Sequence, residues 1–221
     1  MPPNLSLNEQ RVLGCLLEKE VLTPEVYPMT LNSLRLACNQ RTSREPVLDL
    51  DDNEVAAALN NLKGRDLATA RMDARATKYQ HSLEKVAALP QAQRAVLTLL
   101  LLRGAQTSGE LRGRAERLHS FESPAEVEEP LQALSQREDG PWVLRLARRP
   151  GEKEARWVHC LDGGSQAEAL ASAGPGMLGE LGQGAELGGL AARLERLEQQ
   201  VAELTRRLDE AGPAVRGPGQ P

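Results

Sequence analysis

The same order of local structural signals occurs twice in this chain, first in residues 5–88 and again in residues 89–161. In each segment, signals for two helices precede a third helix, and two alternating strands joined by a polar turn come last. Helices followed by a two-stranded hairpin, with a short strand after the first helix, form a winged helix, a variant of the helix-turn-helix. We therefore predict an α+β, mainly helical fold with two tandem winged-helix domains, residues 5–88 and 89–161.

Polar residues mark the helix starts of the first segment. Ser6 with Glu9, and Asp51 with Glu54, have the spacing of a capping box, in which each side chain pairs with the backbone of the other residue. Thr30 is suited to cap the helix between them, because its hydroxyl can accept from a free backbone N–H. The spacing therefore predicts three helices in this segment.

The first segment also contains three predicted extended pieces. Pro24 ends the first helix because proline lacks the backbone donor, and Val26-Tyr27 follows as a short strand. Residues 67–72 and 78–83 alternate around a polar turn, so we predict that they pair as antiparallel strands.

The second segment repeats these signals. Thr107 with Glu110 has the spacing of a capping box, and Ser123 precedes a helix with Pro124 at its first position. Residues 142–147 and 155–161 alternate as strands, and Pro150-Gly151 suits the centre of a type II turn between them.

After residue 161 the composition changes. Residues 162–189 are rich in Gly and Ala, which bury little surface and leave the chain flexible, so we predict a linker. Leucine and valine recur at alternating steps of three and four in residues 190–210, the seam of a coiled-coil-like helix. This helix predicts a homodimer, with a lone amphipathic helix folded back on the domains as the alternative. Residues 211–221 are predicted to be a disordered end.

Composition narrows the class of protein. The net charge of −4 at pH 7 excludes a strongly basic nucleic-acid packaging protein. Three scattered cysteines do not form the framework of a disulfide-rich secreted domain. The N-terminus has no basic segment followed by an apolar run, and the longest apolar stretch, residues 95–102, is too short to cross a bilayer. We expect a soluble, cytoplasmic chain with no membrane segment.

Signals for catalysis are missing from the sequence. It contains no Gly-rich phosphate loop, no His-Glu-x-x-His zinc motif and no Gly-x-Ser-x-Gly nucleophile motif. His81 and His159 fall on predicted strands, where packing is the expected role. The neighbours His159 and Cys160 point to opposite strand faces, so they do not share a metal. We therefore predict no enzyme, no metal and no cofactor.

Three blocks of the sequence are similar to a known family. They are Leu16-Leu17-Glu18-Lys19, the run from Leu31 to Val47 with Ala37-Cys38-Asn39-Gln40-Arg41-Thr42-Ser43-Arg44-Glu45-Pro46, and Pro150-Gly151-Glu152-Lys153-Glu154-Ala155-Arg156. Together they resemble the YceH-like family of bacterial proteins over residues 5–161. The resemblance implies a pair of winged helices in tandem. It implies little about function, because the family is largely uncharacterised.

The winged-helix interpretation suggests double-stranded DNA as a partner. A winged helix places its third helix in the major groove and its hairpin against the backbone or the minor groove. Outward asparagines on the third helix can pair with adenine through two hydrogen bonds, and basic side chains can approach phosphates. The candidate residues are Asn53, Asn60, Asn61, Lys63, Arg65, Arg71, Arg75 and Lys78 in the first domain, Arg41 and Arg44 on its polar loop, and Arg148, Arg149 and Lys153 on the second hairpin.

Acidic residues at the starts of both third helices favour a different partner. Carboxylates suit a helix N-terminus but repel phosphates. Two hypotheses therefore stay open: a DNA-binding or regulatory protein dimerised by its tail, and a protein-protein interaction adaptor that does not bind DNA. Under either hypothesis the polar loop 39–46 is a test site, and we expect replacement of Arg41 and Arg44 to leave the fold intact. The acidic residues are Asp51, Asp52 and Glu54 in the first helix and Glu126, Glu128 and Glu129 in the second.

Overall fold

The computed structural model describes residues 2–73, 76–148 and 151–172, and its helices and hairpins follow the predicted order. The fold is α+β with small antiparallel sheets. The first segment contains α1 (Leu7–Leu22), β1 (Met29–Thr30), α2 (Leu31–Cys38), α3 (Asp52–Gly64), β2 (Ala68–Met72) and β3 (Thr77–His81). The second contains α4 (Gln91–Arg103), α5 (Ser108–Ala115), α6 (Pro124–Ser135), β4 (Val143–Arg145) and β5 (Trp157–His159), and α7 (Ser165–Ser172) follows.

The predicted caps are present at the helix starts. At α1, the Ser6 hydroxyl accepts from the N–H of Glu9, and the Glu9 carboxylate accepts from the N–H of Ser6 at 2.7 Å. Each cap pairs backbone donors that have no partner inside the helix, so it fixes where the helix begins. The other caps are the reciprocal pairs Asp51–Glu54 at α3 and Thr107–Glu110 at α5, and the single hydroxyls of Thr30 at α2 and Ser123 at α6.

The short strand of the first segment lies later in the chain than predicted. Pro24–Val26 is a turn of 3-10 helix, because the N–H groups of Val26 and Tyr27 donate to the carbonyls of Thr23 and Pro24. The prediction of Val26-Tyr27 as the strand was therefore wrong. The strand is β1, which pairs antiparallel with β3, and β3 also pairs with β2 to give the order β1-β3-β2.

The second hairpin is shorter than predicted. Among the described residues the two strands cover three residues each, from Val143 opposite His159 to Arg145 opposite Trp157, and one backbone hydrogen bond beyond each end continues the pairing. An isolated bridge joins Gln106 to Trp157, so the chain between α4 and α5 meets β5 as β1 meets β3 in the first segment. The predicted turn lies partly outside the described residues, which resume at residue 151.

One hydrophobic core runs through both segments. Its buried residues come from α1 and α3 as well as from α4 and α6, and the described residues form one compact unit. α1 and α4 approach closely because Gly14 has no side chain; a Cβ there would lie 2.8 Å from Cδ2 of Leu102. The N–H of Leu5 also donates to the carbonyl of Leu161, at the end of the second segment. The boundary at residues 88 and 89 stays a prediction, because the core crosses it.

The chain after residue 161 begins with a helix instead of a linker. The Asp162 carboxylate accepts from the N–H groups of Gly164 and Gln166, and α7 follows with Ala167 buried. The predicted linker therefore does not describe residues 165–172. The rest of that linker, the predicted heptad helix and the predicted disordered end lie outside the described residues. None of the described helices is both long and apolar enough to cross a membrane.

Candidate nucleic-acid interface

Helix α3 presents a stripe of small and polar side chains to solvent. Asn53, Ala57 and Asn60 are spaced by four and three residues, so they share one face of the helix, and all three are exposed. The opposite face packs into the core through residues that include Val55 and Leu59. Burial of this apolar face therefore holds the two asparagine amides in solvent.

The first hairpin carries two adjacent cations. Arg71 on β2 lies directly opposite Lys78 on β3, so their side chains project from the same face of the sheet. Lys78 pairs with Asp73 at 3.3 Å, whereas Arg71 is exposed and forms no ion pair with a described residue. Like charges directly opposite each other are destabilising, and a bound anion would relieve the repulsion. Arg75, which the sequence placed beside them, lies outside the described residues.

Asn61 and Arg65 face a different part of the surface from the asparagine stripe. They line a groove of about 550 Å³ together with the N-terminal segment and the start of α7. Asn61 is one residue, or about 100°, around the helix from Asn60, so the two amides leave α3 in different directions. Lys63 is exposed near the end of the helix. The structure therefore divides the predicted first-domain set between two surfaces.

The polar loop 39–46 separates the two arginines predicted there. Arg41 is exposed and pairs with no described residue. Arg44 is buried, and its guanidinium donates to both carboxylate oxygens of Glu18, at 3.0 and 2.6 Å, and to the carbonyl of Ala37 at 3.0 Å. Arg44 is a structural residue that is not accessible to a partner. We expected that both arginines could be replaced with the fold intact, but the buried contacts of Arg44 argue against this for Arg44.

A second buried arginine lies beside this ion pair. Arg11 of α1 is 1 % exposed and donates to the carbonyl of Cys38 at 3.0 Å and to that of Pro46. Burial lowers the pKa of Arg11, yet a guanidinium stays charged at neutral pH. Burial raises the pKa of Glu18, but its hydrogen bond to Arg44 and the charge of Arg44 outweigh burial and bring that pKa below its usual value. Hydrogen bonds of the two arginines therefore hold both ends of the loop 39–46 against α1.

The carboxylates at the start of α3 are engaged within the fold. Asp51 and Glu54 accept from each other's backbone N–H groups at 2.8 Å. Asp52 pairs with Arg35 at 2.8 Å, which links α3 to α2. These residues are therefore fixed by capping and by one ion pair, which reduces the negative potential that Asp52 presents to an approaching phosphate.

The second hairpin borders a groove of mixed charge, about 570 Å³ in volume, between it and the starts of α5 and α6. The hydroxyl of Ser108 donates to Glu128 in this groove, so one of the acidic residues of α6 is also held inside the fold. Arg149 lies outside the described residues. The cations that line the groove are Arg145, Arg148 and Lys153, and they are accompanied by the carboxylates of Glu128 and Glu154.

The two histidines on second strands have different surroundings. Nδ1 of His81 accepts from the N–H of Leu83 at 3.3 Å, so its Nε2 is the donor to Glu20 at 2.8 Å, and Arg94 of α4 donates to the same Glu20 oxygen. His159 is 1 % exposed, its Nδ1 has no hydrogen-bond partner among the described residues, and burial lowers its pKa to about 4. No group of three or more metal-ligating side chains occurs within the described ranges.

The sequence matches a protein family over most of its length. A family model described as "Protein of unknown function, DUF480" matches residues 5–152. The chain belongs to this family. It is 45 % identical to a UPF0502 protein of Yersinia pseudotuberculosis serotype O:1b, over 95 % of this chain and 97 % of the relative. It is also 45 % identical to UPF0502 protein YceH of Salmonella paratyphi A, over 95 % of this chain and 96 % of the relative. The predicted resemblance to YceH-like proteins is confirmed, and the match extends past residue 161.

The sequence prediction missed the buried polar residues of this DUF480 member. Arg11 and Glu18 lie on the apolar side of α1, seven residues apart with Cys15 between them, and the prediction treated that side as apolar packing. A charged residue at each end of an apolar stripe is a signal for a buried ion pair, since unpaired charges are rarely buried. The partner Arg44 could not be found in this way, because it comes from a loop.

Proposed function

We propose that this member of the DUF480 family is a DNA-binding protein that uses a winged helix in each of its two segments. The observation that carries the proposal is the exposed asparagine stripe of α3, together with the adjacent cations Arg71 and Lys78 on the hairpin that follows it. A winged helix brings these two parts to a duplex together, with the third helix in the major groove and the hairpin against the backbone.

In this proposal α3 supplies the base contacts. The amides of Asn53 and Asn60 each pair with an adenine, which offers a donor and an acceptor in the major groove. Ala57 lies between them on the same face, and its small side chain lets the helix approach the base edges. Asn61 faces the groove beside the N-terminal segment and takes no part.

Phosphate contacts come from cations that the fold leaves free. Arg41, Lys63 and Arg71 are exposed and form no ion pair with described residues, and Lys78 lies beside Arg71. Because the whole chain has a net charge of −4, its attraction to DNA has to be local. The exposed cations Arg148 and Lys153 of the second hairpin add backbone contacts. The proposal assigns no catalytic residue.

The proposed regulator acts as a homodimer. The heptad spacing in residues 190–210 supports this part of the proposal, and those residues lie outside the described part of the chain. Sedimentation of the full chain, and of a chain that ends at residue 172, tests it. We expect a dimer for the full chain and a monomer for the shorter one, and a monomeric full chain would remove the dimer from the proposal.

The test of base contacts starts from selection of duplexes out of a random pool by the full chain. Against the selected site, the double variant Asn53→Ala, Asn60→Ala should lose about 1–3 kcal/mol per asparagine, which is roughly 30-fold or more in affinity for the pair. Asn61→Ala is the matched control, on the same helix but on another surface, and should bind like the wild type. Failure to enrich any sequence, or equal losses in both variants, would reject α3 as the reading helix.

A protein-interaction adaptor is the second candidate, and exposed apolar side chains favour it. Leu36 and Val47 are each 57 % exposed, and Met72 at the end of β2 is 81 % exposed. Apolar side chains at an interface core contribute to protein binding. Co-purification from the native cell with and without nuclease distinguishes the two functions. A partner that stays bound after nuclease treatment, while duplex DNA is ignored at low salt, would favour the adaptor.

A further inference from the structure

The tip of the first hairpin carries an apolar side chain in solvent. Met72 is 81 % exposed, more than any other large apolar residue in the described part of the chain. It is the last residue of β2 and lies opposite Thr77, the first residue of β3. Beyond this pair the N–H of Asp73 donates to the carbonyl of Ala76 at 3.1 Å, which closes the turn. Met72 therefore lies at the far end of a hydrogen-bonded hairpin.

The hairpin fixes the direction in which Met72 projects. Side chains alternate between the two faces of a strand, so Met72 shares a face of the sheet with Ala68 and Ala70. Ala68 is buried in the core and Ala70 is exposed, so Met72 continues this face past the end of the core. The hydroxyl of Thr77 donates to the Met72 sulfur at 3.8 Å. The thioether is thus bonded across the two strands while most of its surface is in water.

Two cations lie one cross-strand pair away from Met72. Arg71 and Lys78 form the pair next to Met72 and Thr77, and alternation places their side chains on the opposite face of the sheet. Single exposed apolar side chains are common on protein surfaces, so exposure alone does not indicate a function. Met72 differs in its position, because it projects from a tip that also carries positive charge.

We propose that the first hairpin enters the minor groove of a DNA duplex, and that Met72 inserts between two base pairs as a wedge and kinks the duplex. This inference rests on the proposed function, in which α3 lies in the major groove and the hairpin contacts the DNA beside it. Proteins that bind the minor groove insert apolar side chains, methionine among them, between base pairs and bend the duplex by about 20–90°. In this arrangement Arg71 and Lys78 contact the phosphates that border the groove.

The dimensions of the hairpin favour a deformed duplex. The minor groove of B-DNA is about 6 Å wide, whereas the backbones of two paired strands are already about 4.8 Å apart without their side chains. The hairpin therefore needs a wider groove than straight DNA offers. A kink toward the major groove opens the minor groove at the unstacked base step. Burial of the Met72 side chain between the bases offsets part of the cost of unstacking them.

The wedge adds a sequence preference at a position that the asparagines of α3 do not read. Pyrimidine–purine steps unstack and kink more easily than other steps. We therefore expect a TA or CA/TG step in the selected duplexes, at a fixed distance from the adenines that Asn53 and Asn60 contact. Met72 would then determine specificity through the deformability of the DNA, without a hydrogen bond to a base.

The experiment measures the bend and the binding separately. A duplex of about 30 base pairs that contains the selected site carries a donor dye at one end and an acceptor dye at the other. Saturation with the full chain should raise the energy transfer between the dyes. Met72→Ala should remove most of this rise at saturation and weaken binding by about tenfold. The slope of log K against log salt should stay that of the wild type, because Arg71 and Lys78 remain. Met72→Leu should keep the bend, since leucine is also an apolar wedge.

Val26→Ala is the matched control, because it also shortens an exposed apolar side chain of the first segment. Val26 is 54 % exposed, but its neighbour Tyr27 accepts from the N–H of His81, at the end of β3 away from the tip. This variant should bend the duplex as the wild type does. Circular dichroism of all the variants confirms that they fold.

The possible results separate the wedge from the proposed function. A duplex that stays straight under saturating wild-type chain, or that Met72→Ala bends as much as the wild type, would overturn the wedge and leave DNA binding by α3 in place. A wild-type chain that binds no duplex would reject the proposed function, and the wedge with it.

Discussion

The two segments have the same order of elements but keep their polar groups in different places. Thr30 caps the second helix of one segment and Thr107 caps that of the other, each directly after residues that pair with the last hairpin strand. Inside the core, the first segment buries Arg11 and Arg44, while the second buries the neutral Gln106, whose side chain is bonded to Leu99, Gly104 and Arg114.

The third helices and hairpins of the two segments also expose different side chains to solvent. The third helix of the first segment is lined on its outer face by asparagines, and its hairpin of five-residue strands carries Arg71 beside Lys78. The third helix of the second segment carries glutamates near its start. The hairpin of this segment has strands of three residues, and Trp142 and Trp157 pack into the core there. One backbone plan therefore supports two surfaces, and function has to be argued from side chains.

The largest expected effect comes from the buried ion pair of the first segment. Glu18→Ala leaves Arg44 buried without its carboxylate, so the free energy of unfolding should fall by about 3–5 kcal/mol. The matched change in the second segment is Asp139→Ala, which removes the partner of Arg137 in a more exposed pair and should cost about 0–1 kcal/mol. Urea denaturation of both variants measures the difference. Equal losses would show that the ion pair with Glu18 does not hold the loop.

The buried histidine of the second segment should make stability depend on pH. Burial lowers the pKa of His159 to about 4 in the folded chain, while the unfolded value is about 6.5. Between these values the unfolded state binds a proton that the folded state does not, so stability is full above pH 6.5 and falls toward pH 4, by roughly 3 kcal/mol for this group. His159→Phe should remove this part of the pH dependence. Parallel stability curves for the wild type and the variant, measured by urea denaturation from pH 4 to 7, would contradict the assignment.

The contact between the segments should be sensitive to one methyl group. In Gly14→Ala the new Cβ meets Leu102 of α4, and we expect a loss of about 1–3 kcal/mol from overpacking, despite the better helix propensity of alanine. Gly113→Ala on α5 is the matched control, because nothing lies within 4 Å of its Cβ position. It should gain about 0.5–1 kcal/mol. Thermal melts of both variants show the contrast, and a stabilised Gly14→Ala chain would mean that α1 and α4 are less closely packed than described.

Local chemistry explains why the helix starts could be predicted. The side chains of Ser6, Thr30 and Asp51 bond to backbone groups three residues away, so spacing alone identifies them. The short strand at Val26-Tyr27 was predicted wrongly because β1 depends on its partner β3, more than 40 residues later. Arg44 was assigned to the surface for the same reason, since its partner Glu18 lies on another element.

The candidate site was predictable only as a set of residue types. Spacing placed Asn53 and Asn60 on one helix face, and the structure keeps them exposed. Spacing did not separate Asn61 from them, because the groove that it lines includes the N-terminal segment and α7, which tertiary packing brings together. The cross-strand position of Arg71 and Lys78 also required the register of the hairpin.

Salt dependence of duplex binding tests the central claim most directly, because each phosphate neutralised contributes about −0.9 to the slope of log K against log salt. Fluorescence anisotropy with the full chain should show binding at low salt. Arg71→Ala with Lys78→Ala should reduce the slope by about 2, whereas Lys85→Ala with Arg117→Ala, two exposed cations elsewhere, should leave it unchanged. Wild-type protein that binds no duplex at low salt, or equal slopes for the two double variants, would contradict a DNA interface on the first segment.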